Sequence, residues 1–458
     1  MPSDDQNSNM SAKIMLFSIA IAGMLYGYDI GVINGVFLFV KKDIPMTDQQ
    51  LSIIAAAVLG GGALATLIAG FLADWLGRRV MVRISGVIFI IGVLLVTFAN
   101  SYEELLLGRL IQGVSVGIIT IVTPLYLAES MPTNLRGRGI VSFQLLLTFG
   151  IAIATASGLL FLGDGNWRGM FLTAVIPAII LLVVSLFIKE SPRWLALKGR
   201  FSEAYNVLCF SNTQDEANKQ LAEMKQTLGQ KNNVVMFKLL FQKKYIFALL
   251  LVCAIGILNQ LTGINVFLQF SATILKGSGL ESNQASLLGG TTIAVVNFIV
   301  TIITFMIVDR FERKTLVAYG TAGIVISLAF CALMYQLLPD NQLKGYLVLV
   351  GLIGYIISFA FGPGALVWTL LSELLPSRIR SRGMAVALFL NSAASAILAS
   401  EFLPMVNQLG YSGAFWLFSC FTSIYFILVV LFVPKTKGKT LEEIERAYNN
   451  KQQNIVKT

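Results

Sequence analysis

The sequence predicts an all-α membrane protein of twelve spanning helices in two six-helix bundles, and three observations carry that prediction. Of 458 residues, 56% are hydrophobic and only 13% charged, whereas a soluble domain carries about 25% charged residues. The apolar residues come in blocks, among them GVIFIIGVLLVTFA, MFLTAVIPAIILLVVSLFI and FWLFSCFTSIYFILVVLFV, on the scale of the roughly 20 residues that cross a bilayer. Short polar motifs then recur in the same order in the two halves of the chain.

Taken in order, apolar windows fall at 13–38, 51–72, 80–99, 105–128, 139–162 and 168–188, and again at 245–275, 284–308, 315–338, 344–371, 382–405 and 411–433. The organisation is therefore a polar tail (1–12), an N-terminal bundle (13–188), a cytoplasmic helical linker (189–244), a C-terminal bundle (245–433) and a cytoplasmic C-terminal helix and tail (434–458). Orientation follows from the short turns. With the N-terminus inside, the inner turns hold Arg78, Arg79, Arg83, Arg136, Arg138, Arg310, Arg313, Lys314, Arg378, Arg380 and Arg382, and the outer turns only Lys41, Lys42, Arg168, Lys276 and Lys344. Eleven against five places both termini in the cytoplasm. The location expected is the cytoplasmic (plasma) membrane. In the linker, Ala217, Leu221, Met224 and Leu228 share one helical face. In the tail, Thr440 and Glu443 have capping-box spacing for one more soluble helix.

Composition also excludes. A net charge of +10 could suggest nucleic acid, but the basic residues sit in short turns and form no single soluble face. No cleavable signal is expected, because residues 1–12 are polar and the first apolar run is long and contains an acid. Cys209, Cys253, Cys331 and Cys420 are too scattered for a metal or redox motif, and there is no histidine. Proton chemistry must then fall to carboxylates. No cofactor or metal is expected, and no nucleophile–base pair points to an enzyme.

The repeat is specific. DWLGRR (74–79) returns as DRFERK (309–314), and ESMPTNLRGRG (129–139) as ELLPSRIRSRG (373–383). ESPRWL (190–195) and PKTKGKTLEE (434–443) close the halves. Two related six-span halves are the arrangement of an alternating-access transporter. The charges at the inner span ends are Asp74, Arg78, Arg79, Glu129, Arg136 and Glu190 in one half and Asp309, Arg313, Glu373 and Arg380 in the other. They read either as orientation signals or as partly exposed ion pairs of a cytoplasmic gate. Such pairs are individually worth about 0–1 kcal/mol, which suits contacts broken in every cycle.

Asp29 stands apart because it lies inside the first span. A charge at mid-helix costs about 2.5–3.5 kcal/mol on insertion scales and marks function by default. Gly23, Gly27, Gly31 and Gly35 form a ladder for close helix contact on the face opposite. Arg109, four and eight residues ahead of Gly113 and Gly117, falls at the same depth. A guanidinium favours the carboxylate and dehydration favours the protonated acid, so the pair reads as a proton-coupling device or a static ion pair. Glu401, near the outer end of the eleventh span, reads as an interfacial side chain. Gln144, Asn259, Gln260, Asn265, Asn297 and Asn391 are amides in apolar spans. Singly each is helix-packing glue; together they suit a neutral polyhydroxylated ligand. Trp368 follows the Gly362-Pro363-Gly364 break and reads as a stacking wall or a packing aromatic.

These motifs resemble the sugar porter family of the major facilitator superfamily. GYDIGVINGV is similar to its first-span GYDxGVISG, and GRLIQGVSVG, PLYLAESMPTNLRG, ESPRWL, NQLTGIN, SELLPSRIRSRG and PKTKGKTLEEI follow in family order. The resemblance implies that Gln144, Gln260, Asn265, Asn297, Trp368 and Asn391 contact a sugar and that Asp29 and Arg109 couple it to a proton. Departures fall at Asn259 (for Gln), at Gln269 and Phe270 (for paired aromatics) and at Ser392 (for Trp). At the rim, Glu312 stands for Gly, and Lys189 and Lys435 for Pro and Glu. The expected function is proton-coupled symport of a monosaccharide or polyol by a monomer whose partners are the substrate, protons and membrane lipid. The alternatives are a facilitative uniporter and a transporter-like sugar sensor.

Overall fold

The computed structural model describes residues 4–130, 136–211, 214–229, 242–376 and 379–434, with side chains except at 4–19, 128, 136–141, 211, 227–229, 243–244, 309, 372 and 381. The chain is an all-helical membrane protein of the twelve-span kind that the sequence predicts. The first five spans are single helices, Asp4–Val36, Asp48–Leu76, Arg78–Thr97, Tyr102–Ser130 and Arg136–Gly158. The first begins at Asp4, inside the stretch read as a polar tail. The sixth is broken into Trp167–Leu172 and Val175–Phe187.

In the later half the eighth and ninth spans are Asn283–Ile307 and Arg313–Leu337. The seventh is read from sequence as one run but is two helices, Lys243–Leu261 and Ile264–Gly277. Gly263 between them has φ 87°, a left-handed conformation that glycine adopts without penalty. The tenth breaks where GPG predicts, into Gln342–Phe361 and Pro363–Leu374, since Pro363 has no N–H to continue the ladder. The last two spans run through Arg380–Phe432, divided at Gly410 with φ 70°.

By contact the chain falls into two units: residues 1–32, 60–154 and 168–234, and residues 33–59, 155–167 and 235–458. The first unit is held by close backbone approaches. Side chains built on Gly23, Gly27 and Gly31 would overlap the backbone at Phe143, Leu147 and Ile151. Gly61 similarly meets Leu110, and Gly117 meets Gly62. This is the small-residue packing that bilayers favour, because lipid gives helices no hydrophobic drive to associate.

The linker belongs to this unit as the short helices Pro192–Leu197, Phe201–Ser211 and Gln214–Gly229. They close over Leu195, Ala196 and Ala204, with Leu221 and Met224 packed against them. Ala217 is buried as its helical face requires. The side chain of Leu228, and Thr440 and Glu443 entirely, lie outside the described residues.

The second unit is built on Leu249, Val252, Ile255, Leu316, Val317, Leu366, Leu370, Leu374, Ala387, Tyr425 and Val429. It also takes in residues 33–59. Asn34 Oδ1 accepts the Ala272 N–H at 2.8 Å, Ser52 Oγ accepts the Leu403 N–H at 3.1 Å, and Asn407 donates to Asp48 at 2.9 Å. Phe37 packs on Phe270 with ring centroids 5.1 Å apart.

Candidate functional site

Within the first unit the two intramembrane charges meet. Arg109 Nη1 donates to Asp29 Oδ1 at 2.8 Å, and each residue is 1% exposed. The glycine ladder explains the position. Gly27 and Gly31 occupy the face against the fifth span, which leaves Asp29 on the face toward the fourth. Arg109 Nη1 also donates to Gln112 Oε1 at 2.9 Å, and the guanidinium lies 5.7 Å from the centre of the Phe171 ring. Asp29 Oδ2, Arg109 Nε and Gln112 Nε2 have no hydrogen-bond partner among the described residues. One guanidinium nitrogen therefore bridges a carboxylate and a neutral amide, leaving Asp29 Oδ2 as a spare acceptor and Gln112 Nε2 as a spare donor. Sequence reading missed Gln112. Its signal is one helical turn from Arg109, which puts the two side chains on the same face.

In the second unit, four polar side chains join in one network. Gln260 Nε2 donates to Asn391 Oδ1 at 3.1 Å, and Asn265 Nδ2 donates to Gln260 Oε1 at 3.1 Å and to Ser395 Oγ at 2.7 Å. Asn391 Nδ2 in turn donates to the Gly256 carbonyl at 2.8 Å. The break at Gly263 makes this possible, because Gln260 ends one helix and Asn265 starts the next. Ser395 was not foreseen: an isolated serine in an apolar run carries no distinguishing signal, although it lies four residues beyond Asn391 on one face. Asn259 and Asn297 are buried, and Asn259 Oδ1 has no partner among the described residues. Trp368 is half-buried and packs against the core around Leu366 and Leu370. Gln144 is half-buried on the fifth span, in the first unit. Glu401 is exposed.

The charged span ends form one cluster per unit. In the first, Arg78 pairs twice with Glu129, Nε to Oε2 and Nη2 to Oε1, both at 2.9 Å. Arg78 Nη2 also meets Asp74 at 2.8 Å, and Ser191 Oγ donates to Glu129 Oε2 at 2.6 Å. Glu190 Oε1 accepts the Arg78 and Arg79 N–H groups at 2.9 and 3.2 Å, capping the third span where its free N–H groups attract an anion. The expectation of partly exposed pairs fails here, since the Arg78 and Glu129 side chains are only 3% and 4% exposed. Among the described side chains of this cluster only Asp74 is largely exposed. In the second unit Arg313 Nε stands 2.9 Å from Glu373, and Arg380 Nε donates to the Leu375 carbonyl at 3.2 Å. The side chains of Arg136 and Asp309 lie outside the described residues. The described pairs all join helices of the same half.

Paired six-span halves with matching charged motifs, an intramembrane ion pair and a polar network beside a broken helix define a multi-pass membrane transporter of the major facilitator class. The chain belongs to the family described as "Sugar (and other) transporter", whose model matches residues 15–448. It is 34% identical to the probable metabolite transport protein CsbC of Bacillus subtilis, over 94% of each chain. It is 31% identical to the galactose-proton symporter of Escherichia coli, over 97% of this chain and 96% of that one. Among solved structures it is similar to the proton:xylose symporter XylE, with a TM-score of 0.79 and 26% identity over 96% of this chain and 99% of that one. XylE is a protein of E. coli.

Proposed function

We propose that this protein moves a monosaccharide (a hexose or pentose) or a polyol across the cytoplasmic membrane together with a proton, by alternating access. The carrying observation is the Asp29–Arg109 contact, a buried ion pair inside the spans with one carboxylate oxygen unpartnered. A buried pair that loses one charge leaves the other uncompensated, which is costly. Gln112 gives the guanidinium a neutral acceptor to keep when Asp29 takes up its proton. The substrate's hydroxyls bind the amides of Gln260, Asn265, Asn391, Asn259 and Asn297, which can both donate and accept. Trp368 supplies an apolar wall. The charged span ends act as the cytoplasmic gate, with both termini inside, and the monomer is the working unit. Gln144 adds a further sugar contact, and the chain is organised as an N-terminal bundle (13–188), a cytoplasmic helical linker (189–244) and a C-terminal bundle (245–433).

The test is Asp29→Asn in proteoliposomes carrying a pH gradient. Gradient-driven accumulation should be lost while sugar counterflow persists. Unchanged accumulation sinks the coupling role of Asp29, whereas a wild type that shows counterflow but never accumulates sugar is a facilitative uniporter in which the Asp29–Arg109 pair only packs.

A further inference from the structure

The second segment of the seventh span, Ile264–Gly277, is mostly apolar, with Ser271 bonded to its own helix, Lys276 at its outer end and one line of polar side chains. Asn265, Gln269 and Thr273 recur at four-residue spacing, so they lie on one helix face. Asn265 is the member tied to Gln260 and Ser395. The next two end in oxygens that nothing satisfies. Gln269 Oε1 and Thr273 Oγ1 are sealed from solvent without a hydrogen-bond partner among the described residues, and Gln269 as a whole is 2% exposed.

A dry carbonyl oxygen with no donor is expensive, and an apolar side chain of the same shape would remove that cost. The sugar-porter pattern has an aromatic at this position, so the amide is a feature of this chain. Four helical residues rise about 6 Å, comparable to the width of one sugar ring. A ligand hydroxyl held at Asn265 would therefore place a second hydroxyl within reach of Gln269.

Resting on the transport reading above, we propose that Gln269 is a specificity-determining residue whose Oε1 accepts a hydrogen bond from one particular substrate hydroxyl. A site built to pair a hydroxyl rejects the analogue that lacks it far more strongly than an apolar pocket does. The residue selects which hydroxylated substrate is carried, and it takes no part in proton coupling.

The experiment measures proteoliposome uptake of D-glucose, D-galactose, D-xylose and myo-inositol. Monodeoxy analogues of the best substrate then compete against it for the wild type, Gln269→Leu and Gln269→Glu. The wild type should lose about tenfold or more in apparent affinity at one deoxy position. Gln269→Leu should weaken the parent sugar by a similar factor and abolish the penalty at that position alone. Gln269→Glu keeps an acceptor and should keep the penalty. If the leucine variant does not reconstitute, Gln269→Met, which is unbranched and closer in length, replaces it. An unchanged set of deoxy penalties, or an equal loss at every position, overturns the role of Gln269. Failure of the wild type to take up any of the four sugars instead overturns the transport reading.

Discussion

The same charged motif is built twice in this chain, and the two copies differ. Arg78 and Arg313 occupy matching places in DWLGRR and DRFERK, and Glu129 and Glu373 match in the following motif. In the first half the pair is bidentate and its side chains are 3% and 4% exposed. In the second, the side chains are 22% and 20% exposed. There Arg313 Nε approaches Glu373 without the alignment that a hydrogen bond needs, and Glu373 Oε2 is unpartnered among the described residues. The turn before the arginine differs as well. Gly77 has φ 100°, whereas Glu312 has φ −71°. A side chain at Gly77 would overlap Glu190 Oε2, so the missing Cβ is what lets Glu190 cap the third span. The duplicated motif is thus a tightly held, buried contact in one half and a looser, half-buried one in the other. Equal sequence signals do not carry equal energies.

The largest effect should come from breaking the buried copy. Glu129→Gln leaves Arg78 without its full countercharge, and a buried pair broken on one side costs about 3–5 kcal/mol. In detergent the thermal midpoint should fall steeply, although the protein still accumulates. Glu373→Gln should be nearly silent in the same assay. Equal losses at both sites would erase the distinction.

Next comes Gly77→Ala. It forces an alanine into a left-handed conformation, a strain of about 1–3 kcal/mol, and pushes Glu190 off the helix end. Glu190→Gln removes the charge while keeping an acceptor. It should cost less, about 0.5–1 kcal/mol, in line with the helix-terminus charge effect. If Gly77→Ala proves no worse than Glu190→Gln, the turn is not what distinguishes the first copy.

The limits of reading such differences in advance follow from chemistry. The twelve spans were legible because bilayer thickness imposes length and hydropathy on each of them. The Asp29–Arg109 pair was legible because a charge in an apolar helix is rare and needs a partner. The amides Gln260, Asn265 and Asn391 stood out for the same reason, and the structure joins them. Asn34 and Ser52 did not stand out, because their partners are the backbone N–H groups of Ala272 and Leu403. Every residue but proline offers that donor, so no sequence signal marks it. Glu190 was identified as a rim charge, but its part as a helix cap depends on the φ of Gly77. The burial of Arg78 leaves no mark in the sequence because it depends on how the Ala73 carbonyl and Glu129, itself held by Ser191, close around the guanidinium.

The smallest expected effect gives the finest discrimination between the copies. Salt screens exposed charges over a Debye length of about 8–10 Å near physiological ionic strength and screens buried pairs much less. A double-mutant cycle on Arg313 and Glu373 should return a coupling of about 0–1 kcal/mol. That coupling should weaken in high salt, where the Debye length falls to about 3 Å at 1 M. The matching cycle on Arg78 and Glu129, using the milder Arg78→Lys and Glu129→Gln variants so that both single mutants survive, should give a coupling several times larger. Its value should hardly change with salt, because no ion can approach side chains that are 3% and 4% exposed. A salt-sensitive coupling at Arg78–Glu129 would mean that this cluster opens to water in the resting protein, and both copies would then be gates of one kind.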